Sequence, residues 1–153
     1  MAGRTDKPVA RRRLAFWDAS ALVPLCVRQS NTPQAIELYA NYGIVVWWAT
    51  AVEIASALAR LVRMKQLSAG DWTKSRRLAA NLAEAWFVIQ PSDALKAKAT
   101  ELVHRYDLRA ADALQLAAAL VWSHDTPQGR TFLTGDQKLQ EAVALSGFDG
   151  LRI

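Results

Sequence analysis

Four carboxylates stand where the surrounding residues argue for burial. Asp18 follows the apolar run Leu14-Ala15-Phe16-Trp17 and precedes Ala19-Ser20-Ala21-Leu22-Val23. Glu53 lies just past the run IVVWW (44–48) and is the only charge between Glu37 and Arg60. Asp112 is the only charge in Ala110–Trp122, and Asp136 follows Phe132-Leu133-Thr134 through Gly135. An isolated carboxylate facing a core is expensive while it stays charged and unpaired. Arg109, one turn before Asp112, and Lys138, two residues after Asp136, are too few to neutralise four acids. Converging oxygen ligands with neither thiolates nor a histidine pair suit a hard divalent cation, Mg²⁺ or Mn²⁺. Such an ion polarises a phosphoryl oxygen and activates water, so phosphodiester hydrolysis is the reaction that fits.

Each acid also has an ordinary structural reading. Asp18 and Asp136 suit the N-caps of following helices. Glu53 can pair with Arg60 or complement a helix dipole from the first turn, and Asp112 has the same dipole role. The joint pattern is harder to explain by caps, because all four would have to fall on one edge of one sheet by coincidence.

That edge follows from the elements. Short β-prone runs at Leu14–Trp17, Ile44–Trp48, Trp86–Gln90, Thr131–Thr134 and Phe148–Ile153 alternate with helical patterns at Pro33–Asn41, Ala51–Met64, Ala69–Ala85, Asp93–Tyr106, Ala110–Trp122 and Gln137–Ser146. This alternation predicts an α/β fold with crossover helices. Continuous hydrophobicity in IVVWW and WFVI predicts strands covered on both faces. The expected architecture is a three-layer α/β/α sandwich with a mostly parallel central sheet of about five strands. Thr32 before Pro33 predicts a capped helix start, Ser68 and Ser92 mark two others, and Ser123–Arg130 (SHDTPQGR) reads as a loop. In such a sheet the ligand site lies beyond the carboxyl ends of the strands. Asp18, Glu53 and Asp136 fall there, and Asp112 begins a buried helix.

Composition bounds the remaining classes. The chain has 153 residues, 52% of them hydrophobic and 22% charged, which fits one globular domain and excludes a disordered chain. We read 14–153 as a single domain behind a basic, flexible tail at 1–13. The net charge of +5 partitions unevenly: the tail carries +4, the segment Arg60–Arg77 carries +5, and the remainder, with all four acids, carries −4. Within that segment, part of a predicted helical hairpin over Ala51–Ala85, Arg60, Arg63, Lys65, Lys74, Arg76 and Arg77 stand against Asp71 alone. This cluster fits an RNA backbone held against an acid-metal site. Trp72 can stack on an unpaired base or pack the hairpin shut. The lone Cys26 reads as a small core residue, and His104 and His124 lack partners at metal spacing. No glycine-rich phosphate loop is present, and no apolar run reaches membrane-spanning length. The apolar stretch after the tail imitates a signal peptide, but Asp18 interrupts it, so a soluble, cytoplasmic protein is expected.

The segments Phe16-Trp17-Asp18-Ala19-Ser20-Ala21-Leu22-Val23, Thr50 with Glu53, Leu108-Arg109-Ala110-Ala111-Asp112-Ala113-Leu114 and Phe132-Leu133-Thr134-Gly135-Asp136 together carry a resemblance. In their order and spacing the chain resembles PIN-domain proteins, and within that family the toxin ribonucleases of VapBC-type toxin–antitoxin pairs. The resemblance implies a PIN-like fold and an endonuclease for single-stranded or looped RNA. Asp18, Glu53, Asp112 and Asp136 would be the catalytic acids holding Mg²⁺ or Mn²⁺, with Ser20 and Thr134 as supporting hydroxyls. It also implies an antitoxin partner and a homodimer. The chain departs from the family pattern in its longer tail and in the lengthened 123–130 connection. A nuclease of RNA maturation or decay and a non-catalytic RNA-binding module are the other readings of the same residues.

Overall fold

A computed structural model describes residues 12–153. Strand β1 (Arg13–Trp17) leads into α1 (Ala19–Cys26) and α2 (Thr32–Asn41). β2 (Tyr42–Trp47) leads into the hairpin of α3 (Thr50–Arg63) and α4 (Ala69–Ala83). β3 (Phe87–Ile89) is followed by α5 (Asp93–Tyr106) and α6 (Ala110–Trp122), and β4 (Thr131–Thr134), α7 (Gln137–Leu145) and β5 (Asp149–Arg152) complete the order. The strands form one sheet in the order β3-β2-β1-β4-β5, with every neighbouring pair parallel.

Side chains alternate across the sheet, and each face builds its own core. Phe16, Val45, Trp47 and Phe132 point to one side, where they meet Leu95, Leu102, Leu116 and Leu139 of α5, α6 and α7. Ala15, Trp17, Ile44, Val46 and Leu133 point to the other, against Leu22 of α1 and Ile54 and Leu58 of α3. The chain is thus the expected α/β/α sandwich. Burial on both faces holds for the inner strands, but β3 departs from it. As an edge strand it leaves Phe87 59% and Val88 40% exposed. β2 also stops at Trp47, so Trp47 is core while Trp48, in the turn beyond, is exposed.

Helix α1 has no counterpart among the periodic segments of the sequence. Six of its eight residues are buried and Pro24 sits inside it, so it shows no amphipathic period. Helix α2 has Asn31 rather than Thr32 at its N-cap position, without a side-chain capping bond; the Thr32 hydroxyl instead donates to Pro24 O (2.8 Å), tying α2 to α1. Ser68 and Ser92 cap α4 and α5 as expected. Of the basic tail, residues 1–11 lie outside the described residues. Arg12 donates from Nη1 to Tyr39 O (2.9 Å), and Arg13 opens β1. Among the described residues, no helix is long and apolar enough to cross a membrane.

The strand order sets the site. From β1 the chain builds outward through β2 to β3, then returns to place β4 on the other side of β1. The carboxyl ends of β1 and β4 therefore flank the point where the strand order reverses, where open α/β sheets bind ligands.

Candidate active site

Asp18 is the first residue past β1, and its amide donates to Leu133 O of β4 (3.1 Å). Its side chain is buried, and both carboxylate oxygens are occupied. Oδ1 accepts from Ser20 Oγ (2.7 Å) and from the Ala21 amide (3.1 Å), and Oδ2 accepts from Thr134 Oγ1 (3.1 Å). The Ala21 contact caps α1, so one side chain serves as both cap and cleft acid. Burial pushes the Asp18 carboxyl up to about 7; the Ser20, Ala21 and Thr134 hydrogen bonds oppose this, and the charge of Glu53 adds to it.

Two hydroxyls stitch the β1–α1 turn to the β4–α7 turn. Ser20 Oγ accepts from the Gly135 amide (2.7 Å), and Thr134 Oγ1, fully buried, accepts from the Asp136 amide (3.0 Å). Gly135 suits this close approach, since a Cβ there would lie 3.3 Å from Ser20 Oγ and press on it. Asp136 then caps α7, accepting from the Leu139 amide at Oδ1 (2.7 Å).

The other two acids come from helix starts. Glu53, half-buried in the first turn of α3, accepts at Oε1 from Gln115 Nε2 (3.1 Å). Burial pushes its carboxyl up, Gln115 opposes this, and Asp112 adds to it. Asp112, in the first turn of α6, accepts from Arg109 Nε at 3.4 Å. Its carboxyl is raised by burial and by Asp136, with Arg109 opposing. The acids repel one another in sequence, Glu53 with Asp18, Asp112 with Glu53, and Asp136 with Asp112.

A cleft of about 610 Å³ is lined by Asp18, Glu53, Asp112 and Asp136, together with Ser20, Arg60, Arg63 and Arg109. The four acids come from four different elements of the fold. Of the predicted RNA-contacting residues, Arg60 and Arg63 reach this cleft along α3. Lys65, Trp72, Lys74, Arg76 and Arg77 are not among its lining residues. Trp72 is half-buried against the α1–α3 core with Arg76 stacked 4.8 Å from its ring, and Lys74 lies 4.0 Å from Asp71. A second depression of about 620 Å³, beside α1 and α2, contains no carboxylate. His104 and His124 are exposed, and Cys26 is a buried free thiol whose pKa burial raises to about 11.

Among the described residues, no three potential ligands stand close enough to form a closed metal cluster. The donor chemistry still fits Mg²⁺ or Mn²⁺. Mg²⁺ keeps several waters and is commonly held by only one or two carboxylates together with substrate phosphates. The mutual repulsion of these acids is the strain that a divalent cation relieves. Sequence reasoning missed Gln115 as part of the site. Its signal is present: it is the only uncharged polar residue in Ala110–Trp122, three positions after Asp112, and so on the same side of the helix.

The PIN domain family model matches residues 15–144, and the chain belongs to that family. PIN domains are generally nucleases. A comparison with curated protein sequences gives no match. Three solved structures share the fold. A toxin–antitoxin complex from Klebsiella pneumoniae aligns with a TM-score of 0.58 and 18% identity, covering 81% of this chain and 88% of that one. PAE2754 from Pyrobaculum aerophilum aligns with a TM-score of 0.62 and 18% identity over 92% of this chain and 89% of its own. FitAcB from Neisseria gonorrhoeae aligns with a TM-score of 0.62 and 17% identity over 88% of this chain and 96% of its own.

Proposed function

We propose that this chain is a Mg²⁺- or Mn²⁺-dependent endoribonuclease for single-stranded or looped RNA, acting in the cytoplasm as the toxin of a toxin–antitoxin pair. The supporting observation is the convergence of Asp18, Glu53, Asp112 and Asp136 on one cleft at the strand-order reversal. A divalent ion, when bound, supplies Lewis acidity toward a phosphoryl oxygen and lowers the pKa of water. Asp18 and Asp112 are the leading candidates to hold it, with Glu53 and Asp136 completing the donor set. Ser20 and Thr134 fix the orientation of the Asp18 carboxylate through the hydrogen bonds described above. Arg60, two helical turns beyond Glu53 on α3, and Arg63, a further turn on, supply positive charge for the phosphates of the RNA strand.

The toxin assignment draws on the family, on the structural likeness to a toxin–antitoxin complex, and on the resemblance of the motif segments. An antitoxin protein and a second copy of the chain are the partners this reading expects. Asp18→Asn tests the chemistry: purified variant and wild type are incubated with single-stranded RNA and Mn²⁺, with folding checked by circular dichroism. Loss of cleavage by a folded variant is the expected result, and full retained cleavage refutes the reading. Growth arrest on expression, relieved by a small protein encoded next door, separates a toxin from a nuclease of RNA processing.

A further inference from the structure

Gln115 is 1% exposed in a helix whose buried neighbours are Ala113, Leu116, Ala117, Ala118 and Ala119. Its Nε2 donates to Glu53 Oε1 (3.1 Å) and lies 3.3 Å from Thr50 Oγ1. Its Oε1 is buried without a partner. The orientation of the amide is fixed by chemistry, because a carboxylate only accepts and the nitrogen must face it. An orphaned buried carbonyl is destabilising, and an apolar side chain of similar volume at this position would avoid it. The amide thus leaves its oxygen unsatisfied while its nitrogen serves two acceptors, the buried Thr50 hydroxyl and the Glu53 carboxylate that faces the cleft.

Glu53 needs such a donor. Its long side chain starts from the first turn of α3 and is only half-buried, so burial alone does not select one orientation. Among the described residues, Gln115 is its hydrogen-bond donor, and it reaches across from α6, the helix that also carries Asp112. The contact therefore ties the α3 acid to the α6 acid across the cleft.

We propose that Gln115 is a positioning residue that fixes the Glu53 carboxylate toward the cleft, holding Glu53 and Asp112 in the relative placement that captures a divalent cation. What is captured rests on the metal-nuclease reading, whereas the positioning of Glu53 does not. Residues that orient a metal ligand typically change metal affinity by about 10- to 100-fold when removed.

The test is a double-mutant cycle on the full chain with Gln115→Met, Glu53→Gln and their combination, reading Mn²⁺ affinity by calorimetry and Tm by thermal unfolding. Gln115→Met is expected to weaken Mn²⁺ about tenfold with little net change in Tm, because removal of the orphaned carbonyl offsets the loss of the donor to Glu53 and to the buried Thr50 hydroxyl. The double variant is expected to bind no more weakly than Glu53→Gln alone. Additive losses, or unchanged Mn²⁺ affinity with a lowered Tm, mark a merely structural role and overturn the proposal. If Gln115→Met does not fold, Gln115→Leu takes its place in the cycle. A wild-type protein that binds no Mn²⁺ refutes the metal reading instead. The proposal is then decided by the NMR order of the Glu53 side chain in the metal-free protein, where a fall in Gln115→Met supports it and unchanged order refutes it.

Discussion

The two walls of the cleft are built from opposite materials. On the β1 and β4 side, Asp18, Ser20, Thr134 and Asp136 are short side chains at the strand ends and helix starts, each locked by one to three hydrogen bonds, with Asp18 and Thr134 buried and Ser20 and Asp136 half-buried. On the α3 side, Arg60 and Arg63 are long, exposed side chains in the last turn of a helix. The first wall suits a small ion, whose binding depends on sub-ångström ligand placement. The second suits a flexible phosphate chain, for which charge matters more than register. Glu53 stands where the two meet, at the start of the same helix, and Gln115 ties it to α6, the helix that carries Asp112. Substitutions on the rigid wall should therefore change chemistry and pH dependence, and those on the helical wall should change affinity and salt dependence.

The largest effect is expected at Asp18. Its carboxyl rises from 3.8 to about 7 on folding, so between about pH 4 and 7 the folded chain keeps a proton that the unfolded chain has lost. Stability of the metal-free protein therefore falls as pH rises through that window and levels off above it, by about 4 kcal/mol from this group. Glu53 and Asp112, also raised, act in the same direction. Asp18→Asn should flatten that slope in thermal unfolding scans and lower cleavage by at least about 100-fold. A pH slope as steep in the variant as in the wild type places the titration elsewhere and breaks the contrast between the walls.

Thr134→Val is the next step down. The valine keeps the volume but removes the donor to Asp18 Oδ2 and the acceptor of the Asp136 amide. A stability loss of about 1–3 kcal/mol is expected from the unpaired groups. Cleavage should fall about tenfold through misplaced acids. The Asp18 carboxyl should rise further, extending the loss of stability above pH 7. Chemical denaturation at pH 5 and pH 8 checks this, since the variant should suffer more at the higher pH.

The rigid wall was also the more legible one. Asp18 and Asp136 follow strands whose apolar runs are unmistakable, and β1, β2 and β4 form where those runs lie, because both of their faces are buried. Helix α1 escaped because it is apolar on nearly every side and contains Pro24, so no 3.6-residue period marks it. The exposure of β3 escaped because an apolar run does not say whether its strand is central or at the edge, and that depends on the strand order. Gln115 was visible as an odd polar residue, but its partner lies 62 positions away on another helix. The cation cluster was legible as charge only: nothing in Arg60–Arg77 shows that the hairpin turns Arg60 and Arg63 toward the acids and sends the rest of the cluster elsewhere.

On the helical wall the expected effects are smaller and of another kind. Arg60→Gln and Arg63→Gln should each raise KM for single-stranded RNA several-fold with kcat nearly unchanged. Each should also reduce the slope of log affinity against log salt by about 0.7, the value for one phosphate contact on a single strand. Binding measured between low and moderate salt with catalytically dead Asp18→Asn protein isolates this term. A fall in kcat with unchanged KM would move these arginines from holding the strand to acting on the reacting phosphate.

The smallest effect is expected from the cations that do not line the cleft. Lys74 is exposed and already lies near Asp71, and Arg77 is exposed on the same helix, α4. At physiological salt an exposed charge is largely screened beyond about 8 Å. The pair Lys74→Gln with Arg77→Gln therefore removes two of the six cations of the cluster yet should change the salt slope less than Arg60→Gln alone. Stability should stay within about 0.5 kcal/mol, as for ordinary surface substitutions. If the pair instead matches or exceeds Arg60→Gln, the RNA strand crosses α4 as well as α3. The helical wall then extends over the whole hairpin, and its charge, rather than the position of two arginines, determines how the strand is held.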